Sequence, residues 1–307
     1  MKLFVGVTDN RWFEFLAARK PDEVNFWRPG GARTFRALDS GGLFLFKLHS
    51  PLNYIAGGGF FVRHLALPLS LAWEAFGEKN GASDPDTFHA MVSEHRRDSV
   101  PNPDIGCTIL SQPFFLPRDL WVPVPEDWQS NIVQGRTYDT ADSQGLKLHS
   151  AILQLMQNSA RGTTSDTAQQ VAEPRYGAEY LARARLGQGA FRVFVTEAYT
   201  RRCAITGERT LPVLQASHIR PFAKEGPHSV ANGVCLRSDI HILFDTGYLT
   251  ITPDYRVEVS KRIREEYENG RDYYALHGNR LQILPENPSE RPAQPFIEWH
   301  NRNVYVA

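Results

Sequence analysis

The stretch from Leu211 to Ile251, LPVLQASHIRPFAKEGPHSVANGVCLRSDIHILFDTGYLTI, constrains the chain more than any other. Its two apolar runs, LPVLQA and GVCLR, are too short for helices and read as strands. His218 closes the first run and Asn232 opens the second. The loop between them, from Arg220 to Ala231, carries proline, lysine and glycine and reads as surface. DIHILFD then reads as a short helix, with Ser238 placed to cap it and Gly247 to stop it. LTITPDYRVEV follows as a hairpin around a Pro-Asp turn. Upstream, LGQGAFRVFVTEAYTRRCAITG predicts a helix with Phe191, Phe194, Val195 and Ala198 on one face, ending near Arg201 and Arg202. The order is helix, strand, loop, strand, helix, hairpin.

These residues carry chemistry at suitable spacing. His241 and Asp245 stand at i and i+4 of a helix, so both can reach one ion. An imidazole and a carboxylate suit a divalent cation, magnesium or manganese first and nickel, cobalt or zinc next. His218, neutral near pH 7, suits a general base that activates water. Asn232 can hydrogen-bond across the loop and hold His218. Arg192, Arg202, Arg220 and Arg237 flank the stretch and are candidate phosphate contacts. His49, His64, His89, His95, His149, His277 and His300 read as ordinary core or surface histidines, and so does His228, although its place in the loop would let it touch phosphate.

The remaining sequence bounds this reading. At 307 residues the chain is long enough for two domains with cores of their own. No run approaches eighteen apolar residues, so no membrane span is expected. The opening MKLFVGVTDNRWFEF lacks a long apolar core and a small-residue cleavage site, so no signal peptide is expected and the expected location is cytoplasmic. Cys107, Cys203 and Cys235 are far apart, which argues against a disulfide framework and a structural zinc knuckle. Lysine plus arginine number 34 and acids 34, so any basic face for nucleic acid must come from segregated charge.

Residues 1–140 read as a mixed domain. KLFVGVTD, GGLFLFKL, NYIAGGGFFVRHL and IGCTILSQPFFL are predicted strands, and RWFEFLAA a short helix or turn. Pro68 opens a predicted helix running to Gly81, and Ser83 or Asp84 caps the next, with Pro85 at its first position. Aromatic residues are dense here, among them Trp12, Phe26, Trp27, Tyr54, Trp73, Trp121 and Trp128. Most belong in a core; two or three could line a pocket for a flat, unstacked base. Gly57, Gly58 and Gly59 would allow close backbone approach to such a ligand, or form a bulge. In 141–185, LKLHSAILQLMQN has a helical apolar stripe that could bridge domains or pair with a second chain, and the polar stretch after it reads as a linker.

Two resemblances follow. VNFWRPG, LFLFKLHSPLNYIAGGGFF and WEAFGEKNG resemble the PUA-like superfamily, closest to the EVE and SRA-type barrels that read modified bases. The resemblance implies a base pocket, with Asn25, Trp27, Asn53 and Tyr54 its candidates. LGQGAFRVFVTEAYTRRCAITGE, LQASHIRPF and NGVCLRSDIHILFDTGYLTI resemble the HNH nucleases, whose site is a ββα-metal unit, over roughly residues 186–260. That resemblance implies His218 as general base, Asn232 as the loop-fixing residue, His241 as metal ligand with Asp245 beside it, and products with 5′-phosphate and 3′-hydroxyl ends. Two departures stand out. Many HNH sites have aspartate directly before the base, where this chain has Ser217. Many relatives carry a four-cysteine zinc site, where this chain has Cys203 and Cys235, so no structural zinc is expected.

The expected fold is therefore α+β: a PUA-like β-barrel domain at 1–140, a linker with a bridging helix at 141–185, and a ββα-metal nuclease domain at 186–307. The expected function is modification-dependent cleavage of double-stranded DNA, as in restriction and phage defence, by a homodimer and with modified cytosine as the base read. Two alternatives stay open: an HNH nuclease triggered by another ligand, and a nucleic-acid-binding protein with a degenerate HNH unit.

Overall fold

The structure is a computed structural model that describes residues 1–31, 34–161 and 187–307, the side chains of 157–161 excepted. It divides into two compact units, Met1–Ala184 and Arg185–Ala307. The expected α+β class holds, with a sheet in the first unit and a short hairpin with helices in the second. Among the described residues, no helix is long and apolar enough to cross a membrane.

The first unit is built on β1 (Lys2–Thr8), β2 (Glu23–Arg28), β3 (Leu43–Leu48), β4 (Tyr54–Pro68), β5 (Asp104–Phe115), β6 (Val122–Pro123) and β7 (Gly135–Asp139). They form one seven-stranded sheet in the order β2-β5-β4-β3-β1-β7, with β6 on β4. β1 and β3 run parallel and the other pairs antiparallel. The two end strands approach each other, since Arg28 of β2 donates to the Gln134 amide oxygen just before β7, 3.2 Å away.

Strand alternation explains how this sheet is covered on both faces. All six residues of β3 are buried. Phe44 and Phe46 face a cluster with Phe4, Phe26 and the helix α1 (Asn10–Arg19), which contributes Trp12, Phe13 and Leu16. Leu43 and Leu45 face the other way, against Leu3, Val5, Leu148 and Ile152. The last two belong to α4 (Ser143–Arg161), so the apolar stripe expected to bridge domains or meet a second chain instead packs on this unit's own sheet. The rest of the expected linker, 162–185, lies outside the described residues.

α2 (Leu69–Phe76) is shorter than predicted: a 3-10 turn, Gly77–Asn80, takes over before Gly81. α3 (Pro85–Ser93) starts as expected, with the Asp84 side chain accepting from Thr87 N at 2.8 Å. Gly57 and Gly58 serve the sheet. A Cβ on Gly57 would lie 2.3 Å from Phe114 O, and one on Gly58 2.5 Å from Phe44 O, so neighbouring strands occupy the space considered for a ligand. The pairing of β4 with β5 shifts register just beyond, the bulge that was the other reading.

In the second unit, α5 (Gln188–Ala198) packs on the antiparallel pair β8 (Leu214–His218) and β9 (Gly233–Arg237), followed by α6 (Ser238–Asp245). The expected hairpin is β10 (Leu249–Ile251) with β11 (Val257–Val259). α7 (Arg262–Tyr267), α8 (Arg271–Tyr274) and α9 (Gln294–Asn303) complete the unit. Ser238 does not cap α6: it is the first helical residue, and Arg237 holds the cap position with no capping hydrogen bond from its side chain. Gly247 does stop the helix, in the left-handed region at φ 83°.

α9 brings in a buried histidine that the sequence leaves without a role. His300 is 2% exposed and stacks on Phe244 at 3.9 Å. Its Nε2 lies 3.0 Å from Phe244 O and its Nδ1 2.8 Å from Thr250 Oγ1. Burial pushes its pKa down to about 4. The unfolded chain therefore binds the extra proton first, near the ordinary histidine value, and this contribution to stability is complete above that value and lost as pH falls toward the folded pKa. Lowering pH from 7.5 to 5 should cost about 2 kcal/mol through His300 alone. Urea denaturation of wild type and His300→Gln at both pH values checks this; the variant should lose less stability on acidification than wild type.

Candidate active site

The site grows from the β8–β9 hairpin and α6. His218 pairs with Gly233 across the hairpin. A Cβ on Gly233 would lie 2.3 Å from Val195 Cγ2 and 3.0 Å from Phe191 Cζ, so a bare glycine lets α5 press directly onto the hairpin. That approach places the Phe191 ring flat against the His218 imidazole, with centroids 3.7 Å apart and an interplanar angle of 11°.

Asn232 is fully buried and ties the two ends of the intervening loop together. Its Nδ2 donates to Arg220 O and Pro227 O, both at 2.9 Å, while its Oδ1 accepts from Arg220 N at 2.9 Å. Its backbone carbonyl accepts from Ile219 N at 2.9 Å. Three of these four contacts hold Ile219 and Arg220, the two residues that follow His218, and so fix where the strand ends.

α6 brings His241 and Asp245 to one face, as i,i+4 spacing requires. His241 Nε2 lies 3.1 Å from Asp245 Oδ2, and His241 Nδ1 lies 2.6 Å from the Gln215 amide oxygen. An amide oxygen only accepts, so Nδ1 donates to Gln215, and Nε2 is the ring nitrogen that faces the carboxylate and that a cation would use. Ser217, fully buried one residue before His218, donates to Asp245 Oδ1 at 3.3 Å. It orients the carboxylate from the position where aspartate is common in HNH sites. The donor chemistry fits a divalent cation held by His241 Nε2 and Asp245, with water and phosphate oxygens filling the shell. Among the described residues, no cluster of three histidine, cysteine or acidic side chains adds a third ligand of that kind.

His218 Nε2 lies 2.9 Å from His228 Nδ1, a contact that the sequence reading passes over. Burial pushes the His218 pKa down to about 4, with His228 and His241 adding to the effect and Asp245 opposing it. The ring is therefore neutral at pH 7 and able to accept a proton. Cys203 and Cys235 are fully buried in the apolar core of this unit.

The four arginines differ. Arg237 is paired with Asp239 through two contacts of 2.7 Å, Tyr273 also donates to Asp239, and the Arg237 side chain stays 35% exposed. Arg220 donates to Lys224 O at 2.6 Å, and its guanidinium lies 5.6 Å from the Trp299 ring centroid. Arg192 and Arg202 are half-buried, on α5 and in the turn after it.

In the first unit the base-pocket candidates separate. Asn25 is fully buried, its Nδ2 donating to Asn80 Oδ1 at 2.9 Å and to Cys107 Sγ at 3.2 Å. Asn53 accepts from Lys47 Nζ at 2.7 Å, and Tyr54 is 42% exposed beside Trp121. Trp27 lines a cleft of about 530 Å³, with its indole N–H donating to Asn80 O at 2.9 Å. Asp9, Trp12, Phe26, Arg28, His49 and His95 share that cleft, whereas Asn25, Asn53 and Tyr54 do not line it. The sequence marks Trp12 and Phe26 only through aromatic density, and nothing in the spacing of His49 and His95 singles them out.

Comparison with known proteins adds the following. Among curated proteins, none matches the chain. The solved structure of the ASCH protein from Zymomonas mobilis overlaps 48% of this chain and 94% of its own, at 11% identity and a TM-score of 0.33. A modification-dependent restriction endonuclease, TagI, overlaps 92% of this chain and 75% of its own, at 16% identity and a TM-score of 0.30. Overlaps this loose carry nothing about function. The family model described as HNH endonuclease matches residues 203–252, the segment that holds His218, Asn232, His241 and Asp245, and the chain carries an HNH nuclease domain there.

Proposed function

We propose that this protein is a metal-dependent DNA endonuclease whose cutting depends on a modified base, with cytosine the base read. The observation that carries the nuclease reading is the placement of His218, His241 and Asp245 around one hairpin and helix, inside the segment that matches the HNH endonuclease family. His218 takes the proton of the attacking water, and its depressed pKa keeps it ready to do so at neutral pH. Asn232 holds the loop, and His241 and Asp245 are the residues that would hold a cation. A divalent ion bound there supplies charge stabilisation at the scissile phosphate and at the leaving oxygen.

The Trp12–Trp27 cleft supports the base-reading half of the proposal. The partly exposed Trp27 ring offers flat apolar surface for an unstacked base, with the buried Trp12 and Phe26 at the cleft's floor, and Asp9, His49 and His95 offer polar groups to its edge. Arg192, Arg202 and Arg220 remain proposed phosphate contacts. One nuclease unit cuts one strand, so cutting both strands calls for two chains, and a twofold homodimer is the default.

The test is a cleavage panel on one duplex carrying unmodified cytosine, 5-methylcytosine or 5-hydroxymethylcytosine, with magnesium or manganese. A modified duplex should be cut at least tenfold faster than the unmodified one. Equal rates on all three would end the modification-dependent reading and leave a nuclease that responds to something else.

A further inference from the structure

His228 reaches the general base from the loop that Asn232 clamps. Its Nδ1 lies 2.9 Å from His218 Nε2, with ring centroids 4.9 Å apart and planes at 64°. The His228 ring is itself stacked on Phe222, 4.5 Å between centroids and 15° between planes. On its other side it meets Phe191, the ring that stacks on His218, at 5.6 Å. His218 is thus gripped on one face by Phe191 and at one ring nitrogen by His228.

One proton lies between the two nitrogens, and its location decides whether His218 can work. A neutral imidazole has one N–H and one lone pair. If His218 Nε2–H donates to His228 Nδ1, the lone pair of His218 is on Nδ1, and that atom can take a proton from water. If His228 donates instead, His218 Nε2 spends its lone pair on His228 and Nδ1 carries hydrogen, so the base is blocked. Among the described residues, His218 Nδ1 has no hydrogen-bond partner, which leaves it as the nitrogen open to solvent or substrate.

We propose that His228 is a positioning residue for the nuclease reaction: it accepts the Nε2 proton of His218 and so keeps the His218 Nδ1 lone pair aimed at water, with Phe222 holding the His228 ring in place. This rests on His218 being the general base. The acceptor at His228 Nδ1 has the reach of an asparagine amide oxygen, so His228→Asn keeps the contact while His228→Ala removes it.

Two measurements test this and separate it from the reading on which it rests. The first is histidine-selective 15N NMR of the full chain at neutral pH. It should show a scalar coupling across the hydrogen bond between the two rings, with the proton on His218 Nε2 and none on His218 Nδ1. A proton found on His228 Nδ1, or on His218 Nδ1, overturns the proposal whether or not the protein cuts DNA. The second is single-turnover cleavage of the substrate preferred in the panel. His228→Ala should lower the cleavage rate roughly tenfold to a hundredfold with unchanged DNA affinity and thermal midpoint, and His228→Asn should recover most of the loss. Equal rates for wild type and His228→Ala overturn the positioning role, and so do equally slow alanine and asparagine variants. Activity retained in His218→Ala would instead sink the base assignment itself.

Discussion

Replacing His218 with alanine should reduce the single-turnover rate of DNA cleavage by on the order of 10³-fold. The expectation follows from what surrounds the ring. It ends β8 at a point fixed by the Asn232 contacts, lies flat on Phe191, and is kept neutral by burial. The alanine variant keeps the hairpin register, because backbone pairing with Gly233 does not involve the side chain. DNA affinity and thermal midpoint should therefore change little while the rate collapses. The decisive comparison is rate against binding on the same modified duplex: a loss smaller than tenfold would remove His218 from the role of base, and an equal loss of affinity would make it a binding residue.

Asn232→Ala should have the largest effect on stability, on the order of 3 kcal/mol in the second unit. Its amide makes three hydrogen bonds of 2.9 Å, all to backbone groups of the loop. Alanine leaves Arg220 N, Arg220 O and Pro227 O without those partners in a buried place. Asn232→Asp, nearly the same shape, should be no better, since it sets a carboxylate against two carbonyl oxygens. Both variants should also cut slowly, because the loop carries His228 to His218. Urea denaturation followed by fluorescence, together with cleavage rate, checks the prediction. An Asn232→Asp variant as stable as wild type would show that the two carbonyl contacts carry no weight.

Much of the second unit was legible because its determinants are local. Strand length, the i,i+4 pair His241 and Asp245, and Gly247 all follow from neighbouring residues. What escaped was long-range. Gln215 meets His241 across 26 positions, and His228 reaches His218 by folding the loop back. Neither has a signature in spacing. The pairing of Arg237 with Asp239, two residues on, is local by contrast, and the turn into α6 brings the two together. In the first unit the aromatic pattern told of a sheet and a core. Which aromatics face the cleft depends on how α1 lies over β2 and β3, and Asn25 does not line it because it is fully buried, with its amide nitrogen donating to Asn80 and Cys107.

The serine at position 217 has a consequence for how DNA arrives. Asp245 of the His218–His241 cluster is held by a hydroxyl instead of a neighbouring carboxylate, and the whole chain is formally neutral. A polyanion nearing such a cluster meets one negative charge where an aspartate at 217 would have made two. At about 5 Å and an effective dielectric of about 20, each unit of like charge opposes a phosphate by about 3 kcal/mol. If this cluster is the cutting centre proposed above, a phosphate group would be seated there with less help from counter-charge, and the order in which ion and DNA enter would be less constrained than with a pair of carboxylates.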